Sequence, residues 1–158
     1  MSSARLSIDL RRILAAEEEN LRAYTTVGSQ IFDKISKIIK SKSQYRISRE
    51  LIAGSIGKNT SLGYNFEPDF DVILFVGGVT HFETLEDVSD DFYTILKNLP
   101  SQCQYWTRFA MQPRLPNGSG VQFSVDTDIM LPSGRKRVTI EFDLLPAYDF
   151  SSNVDDQT

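Results

Sequence analysis

In the segment PDFDVILFV, Asp69 and Asp71 are separated by one phenylalanine and followed by an unbroken apolar run from Val72 to Val76. On a β-strand, residues two apart project from the same face, so the two carboxylates stand side by side while Phe70 turns away. Like charges held this close repel unless a divalent cation neutralises them. Oxygen-only ligands suit magnesium, which keeps several waters and shares substrate phosphates. In VTIEFDLLPAYD the same alternation puts Thr139, Glu141 and Asp143 on the face opposite Ile140, Phe142 and Leu144. If the two strands are neighbours, Asp143 joins Asp69 and Asp71 to hold two metal ions, which clamp the attacking and leaving oxygens of an in-line displacement.

A glycine-rich turn, LIAGSIGKNTSL, precedes the first pair. It is not a P-loop: the position five before Gly57 is Ile52, and Lys58 is followed by Asn59 where a Ser or Thr is required. Glycines at 54, 57 and 63 do not fit a dinucleotide-binding fingerprint either. A second pair, Asp126 and Asp128 in VDTDI, has the same spacing as Asp69 and Asp71. These are read as solvent-facing surface charge, because no phosphate turn precedes them and their strand is amphipathic rather than an apolar run. His81 stands in a loop without Cys or His partners and is assigned no metal role.

Positioning these groups requires strands, and the chain supplies them after a long helix. Leu6, Leu10, Ile13, Leu14, Leu21, Tyr24, Gly28, Ile31, Ile35, Ile38 and Ile39 recur at three- and four-residue steps over the first forty residues. Gly28 falls on that apolar face, either to admit a close approach to a sheet or simply at a cost in helix stability. Strands are expected at 46–53 and 71–76, and a helix at 85–98 with Thr84 and Asp87 as its cap. Alternating strands at 121–130 and 138–144 are joined by a hairpin through LPSGRK. Tyr105, Trp106 and Phe109, around Arg108, are either a stacking surface or, preferably, core. The order of elements indicates an α+β domain with a mixed β-sheet flanked by helices.

At 158 residues the chain can bury about 70% of its unfolded surface without staples. Its single Cys103 cannot form an internal disulfide, and no apolar run reaches membrane-spanning length. A soluble, cytoplasmic protein with no membrane partner is expected. Charge is uneven: residues 1–58 hold 11 Lys and Arg against 6 Asp and Glu, a net +5, while residues 59–158 hold 6 against 15, a net −9. A basic front half can meet a polyanion while the acidic remainder meets metal ions.

A strand ending in Gly-Ser, a D-x-D pair on an apolar strand and a third aspartate on a later strand together resemble the polymerase-β-like nucleotidyltransferase superfamily. Within it, AGSIGKNTSL is similar to the G-G-S-x-G-K-G-T-x-L turn of the 2′-5′-oligoadenylate synthases, and IEFDLLPAYD to their E-F-D-V-L-P-A-F-D segment. Cyclic GMP-AMP synthase and its relatives share the superfamily core. The resemblance covers nearly the whole chain, including the long N-terminal helical region.

The resemblance implies a polymerase-β-like core over residues 1–150, a polar tail at 151–158, and a helical C-terminal lobe that this chain does not contain. It implies Gly54, Ser55 and Lys58 as the nucleotide-binding turn, and Asp69, Asp71 and Asp143 as catalytic ligands of two Mg2+ ions, with Mn2+ able to replace them. The reaction implied is transfer of AMP from ATP to a 2′-hydroxyl with release of pyrophosphate, in an innate-immune setting. Double-stranded RNA is the implied activator, contacted by Lys34, Lys37, Lys40, Lys42, Arg46 and Arg49 through backbone phosphates. Ala53 and Asn59 stand where the synthases have glycine, and thirteen residues separate Ser55 from Asp69, departures that bear on substrate more than on fold. Two alternatives stay open: a cyclic-dinucleotide synthase of the same superfamily, and a non-catalytic module that binds RNA or protein.

Overall fold

The computed structural model describes residues 3–54, 69–77, 84–114 and 120–150, with 3–17 and 53–54 as backbone alone. Its elements are α1 (Ser3–Lys42), β1 (Arg46–Gly54), β2 (Asp69–Gly77), α2 (Leu85–Lys97), β3 (Arg108–Met111), β4 (Val121–Leu131) and β5 (Gly134–Tyr148). The five strands form one mixed sheet in the order β1-β2-β5-β4-β3. Only the β2–β5 pair is parallel. The α+β class and the mixed sheet flanked by helices are as expected from the sequence. β3 is an addition: a run of four residues is too short for alternation to reveal it.

Alternation along the strands separates two faces. Phe70, Val72, Leu74 and Val76 of β2, Val121, Phe123, Val125 and Ile129 of β4, and Val138, Ile140, Phe142 and Leu144 of β5 are buried together. Tyr24, Ile31, Phe32, Ile35 and Ile39 of α1 and Val88, Phe92, Ile95 and Leu96 of α2 pack into the same core. Each such side chain contributes about 1.5–3 kcal/mol on burial. The intervening strand residues lie on the opposite face, half-buried or exposed.

A ladder of aromatic rings crosses the core face. Centroids are 5.3 Å apart for Trp106–Phe109, 5.2 Å for Phe109–Phe123, 5.0 Å for Phe123–Phe142 and 5.3 Å for Phe142–Phe70. Trp106 also donates its indole N–H to the Pro100 carbonyl at 3.0 Å. Core packing is therefore the role of Trp106 and Phe109, while Tyr105 is exposed at its edge. Gly28 settles the choice left by the sequence: a Cβ there would lie 2.2 Å from Cζ of Phe70, so its absence lets α1 rest on that ring.

Local chemistry sets the ends of the elements. Thr84 and Asp87 form a reciprocal capping box, with the Asp87 N–H donating to Thr84 Oγ1 at 3.2 Å and the Thr84 N–H to Asp87 Oδ2 at 2.9 Å. Gly134 turns the β4–β5 hairpin at a φ of 124°, where a side chain would be strained. Among the described residues no helix is long and apolar enough to cross a membrane.

Candidate functional site

β2 and β5 run side by side, and their register makes Asp71 the partner of Asp143 and Asp69 the partner of Glu141. Neighbouring strands are about 4.8 Å apart, so four carboxylates occupy two adjacent rungs of the face turned away from the helices. Phe70 holds this arrangement in place. Its ring is 1% exposed between Gly28 and the stacked Phe142, and a slip of one residue would drive it into water and the acids into the core.

The donor set is oxygen only, as a hard dication prefers. Among the described residues no three His, Cys, Asp or Glu side chains converge into a cage. Asp69, Asp71 and Asp143 therefore share a face and a register without closing on one point. Magnesium does not need such a cage, since one or two carboxylates together with waters and substrate phosphates hold it. The chemistry of the residues present fits that mode of binding.

β1 brings the glycine turn to the same place. Gly54, its last residue, is the register partner of Asp71, on the side of β2 away from Asp143. Ser55 and Lys58 follow directly but lie outside the described residues, as does His81. A groove of about 330 Å³ opens across β5, lined by Asp69, Glu141, Asp143, Gln122, Ser124 and Gln112. Glu141, Gln112, Gln122 and Ser124 were not singled out from the sequence as site residues. Glu141 shares the alternation of Asp143, which was the available signal. The amides become visible only when β4 and the end of β3 are placed beside β5.

The second aspartate pair stands on the same face but in different company. Asp126 accepts a 2.7 Å hydrogen bond from Thr139 Oγ1, and Asp128 lies 3.2 Å from Nε of Arg137 and 4.0 Å from Nε of Arg135. Both carboxylates are half-buried rather than fully solvent-facing. Asp128 thus has cationic partners on β5, and Asp126 a hydroxyl donor.

The six basic residues are dispersed. Lys34 lies over the Tyr105 ring at 5.0 Å, Lys37 pairs with Asp33 at 3.0 Å, and Lys40 with Glu50 at 3.4 Å. Arg49 lies over Phe75 at 4.0 Å, and its Nε is 3.9 Å from the buried Asp149. Phe75 belongs to the face opposite the helices, so Arg49 and the α1 lysines do not present one surface. Lys42 and Arg46 are exposed.

No family model matches the chain, and no curated protein matches it. Among solved structures it is similar to the small alarmone synthetase 2 from Bacillus subtilis, with 13% identity, a TM-score of 0.49, and coverage of 89% of this chain and 78% of that one. A likeness at that level supports neither a family nor a shared activity.

Proposed function

We propose that this chain is the catalytic core of a nucleotidyltransferase that uses a nucleoside triphosphate, with ATP as the donor and a ribose hydroxyl as the acceptor. The observation that carries the reading is the β2–β5 register. It sets Asp71 against Asp143 on the face opposite the helices, one strand from Gly54. Oxygen ligands gathered in this way suit a site where cations and phosphates are handled.

In this reading Asp69, Asp71 and Asp143 hold the metal, which supplies positive charge for the phosphoryl oxygens when bound. The acceptor oxygen forms a bond to the α-phosphorus while the bond to the oxygen bridging the β-phosphate breaks, and pyrophosphate leaves. Asp143 receives the hydroxyl proton. In the same reading the turn of Gly54, Ser55 and Lys58 holds the leaving phosphates. The finer assignment to 2′-5′ linkage rests on AGSIGKNTSL and IEFDLLPAYD alone. Activation by double-stranded RNA rests on Lys34, Lys37, Lys40 and Lys42 of α1, from which Arg49 stands apart over Phe75. Their exposed pairs, such as Lys37–Asp33, are worth little and can be exchanged for backbone phosphates.

Titration calorimetry with ATP tests the reading. Binding is expected only with magnesium or manganese, lost with chelator, and abolished by Asp71→Asn. Binding that ignores chelator would remove the metal from the mechanism. Incubation with ATP, magnesium and double-stranded RNA then reads the product: linear oligoadenylates resistant to 3′-5′-specific nucleases support the finer assignment, and a cyclic product overturns it.

A further inference from the structure

The carboxylates are the middle of a longer row. At one level of the face opposite the helices the chain presents Gly54, Asp71, Asp143, Gln122 and Gln112 in that order. The first four are successive register partners across β1, β2, β5 and β4. The Gln112 N–H donates to the Gln122 carbonyl at 2.9 Å and carries the row one step past the end of β3. Four steps of about 4.8 Å make it roughly 19 Å long. Its chemistry changes along its length, from the glycine turn through two acids to two neutral carboxamides. Both carboxamides line the groove of about 330 Å³.

Resting on the nucleotidyl-transfer reading, we propose that this groove over β4 holds the acceptor nucleoside, with Gln122 and Gln112 as the residues that recognise its base. In-line displacement places attacking and leaving oxygens on opposite sides of the phosphorus. The leaving pyrophosphate lies toward β1 and Gly54, so the attacking hydroxyl arrives from the β4 side, past Asp143. A carboxamide carries both donors and an acceptor, and glutamine pairs bidentately with the amino group and ring nitrogen of adenine. The described lining has no Lys or Arg to receive a phosphate. The uncharged end of a nucleotide, ribose hydroxyl and base, is what fits. A volume at the low end of ligand pockets takes one nucleoside rather than a chain of them.

The test uses adenosine, which has no phosphate to draw it to the metal side, titrated into the full chain and followed by NMR of backbone and side-chain amides. Shifts are expected at Gln112, Gln122 and Ser124. Gln122→Ala and the isosteric Gln122→Glu should each weaken adenosine at least about fivefold, the low end for loss of a bidentate base contact. Shifts confined to β1 and β2, no binding, or unchanged adenosine affinity in Gln122→Glu would overturn the proposal. Chelator-sensitive ATP binding is measured separately. Its absence would overturn nucleotidyl transfer, while the adenosine titration would still report whether the groove accepts a nucleoside.

Discussion

Asp69–Asp71 and Asp126–Asp128 have the same spacing and face the same way, and they flank the same strand, β5, from its two sides. What differs is the part of β5 each pair meets. Asp69 and Asp71 stand against Glu141 and Asp143, whereas Asp126 and Asp128 stand against Thr139 and Arg137. Cross-strand pairs of opposite charge stabilise a sheet by roughly 0.2–1 kcal/mol, and like charges directly opposite destabilise it. The D-x-D spacing therefore makes a pair of carboxylates, and the facing strand adds further carboxylates to one pair and a hydroxyl and an arginine to the other.

The largest expected contrast lies in metal binding. Asp71→Asn or Asp143→Asn should weaken chelator-sensitive ATP binding at least about 100-fold, since even residues one layer behind metal ligands cost 10- to 100-fold. Asp126→Asn should leave it within about twofold, and equal losses from Asp126→Asn would erase the distinction between the pairs. Next is Gly28→Ala. A methyl group 2.2 Å from Phe70, whose ring is backed by Phe142, should cost about 1–3 kcal/mol in urea unfolding. Amide shifts should concentrate at Asp69–Asp71 and spare Asp126–Asp128.

Effects on stability should be smaller. Asp128→Asn strips Arg137 and Arg135 of their partner and should cost at most about 1 kcal/mol, because both arginines are exposed. A clear loss of stability in Asp71→Asn would mean that the carboxylate is structural. The smallest effect concerns pH. Burial raises the phenol of Tyr24, on the α1 face that contacts the sheet. The unfolded chain therefore ionises first, so this contribution is complete below pH about 10 and is lost as pH rises through the folded value. Tyr24→Phe should remove that alkaline slope, and neither aspartate substitution should alter it.

Much of this comparison was legible in the residues, and its decisive part was not. Alternation in 121–130 and 138–144 shows which side chains share a face, and Pro132 and Gly134 mark the hairpin that sets β4 against β5. Thr84 and Asp87 announce the start of α2 because the capping box is local. The parallel pairing of β2 with β5 is a contact across seventy residues, which no local pattern encodes, so the meeting of Asp71 and Asp143 could only be stated as a condition. Amphipathic alternation was read as setting the 121–130 strand apart from a central one, yet β4 is internal, between β5 and β3. Its second neighbour is only four residues long and leaves no periodic trace. Gly28 was visibly on the apolar face of α1, but its partner Phe70 was not, because ring and glycine meet only once the helix is docked.

The most direct test of the central claim is paramagnetic relaxation by substoichiometric Mn2+ in the 15N-labelled chain, which locates the ion without requiring turnover. Selective broadening of the amides around Asp71, Asp143 and Gln122, sparing those around Thr127 and Asp128 and abolished by Asp71→Asn, is the expected result. Broadening centred on Asp126–Asp128, or uniform weak broadening unaffected by Asp71→Asn, would contradict the assignment of the first pair as the ion-binding one.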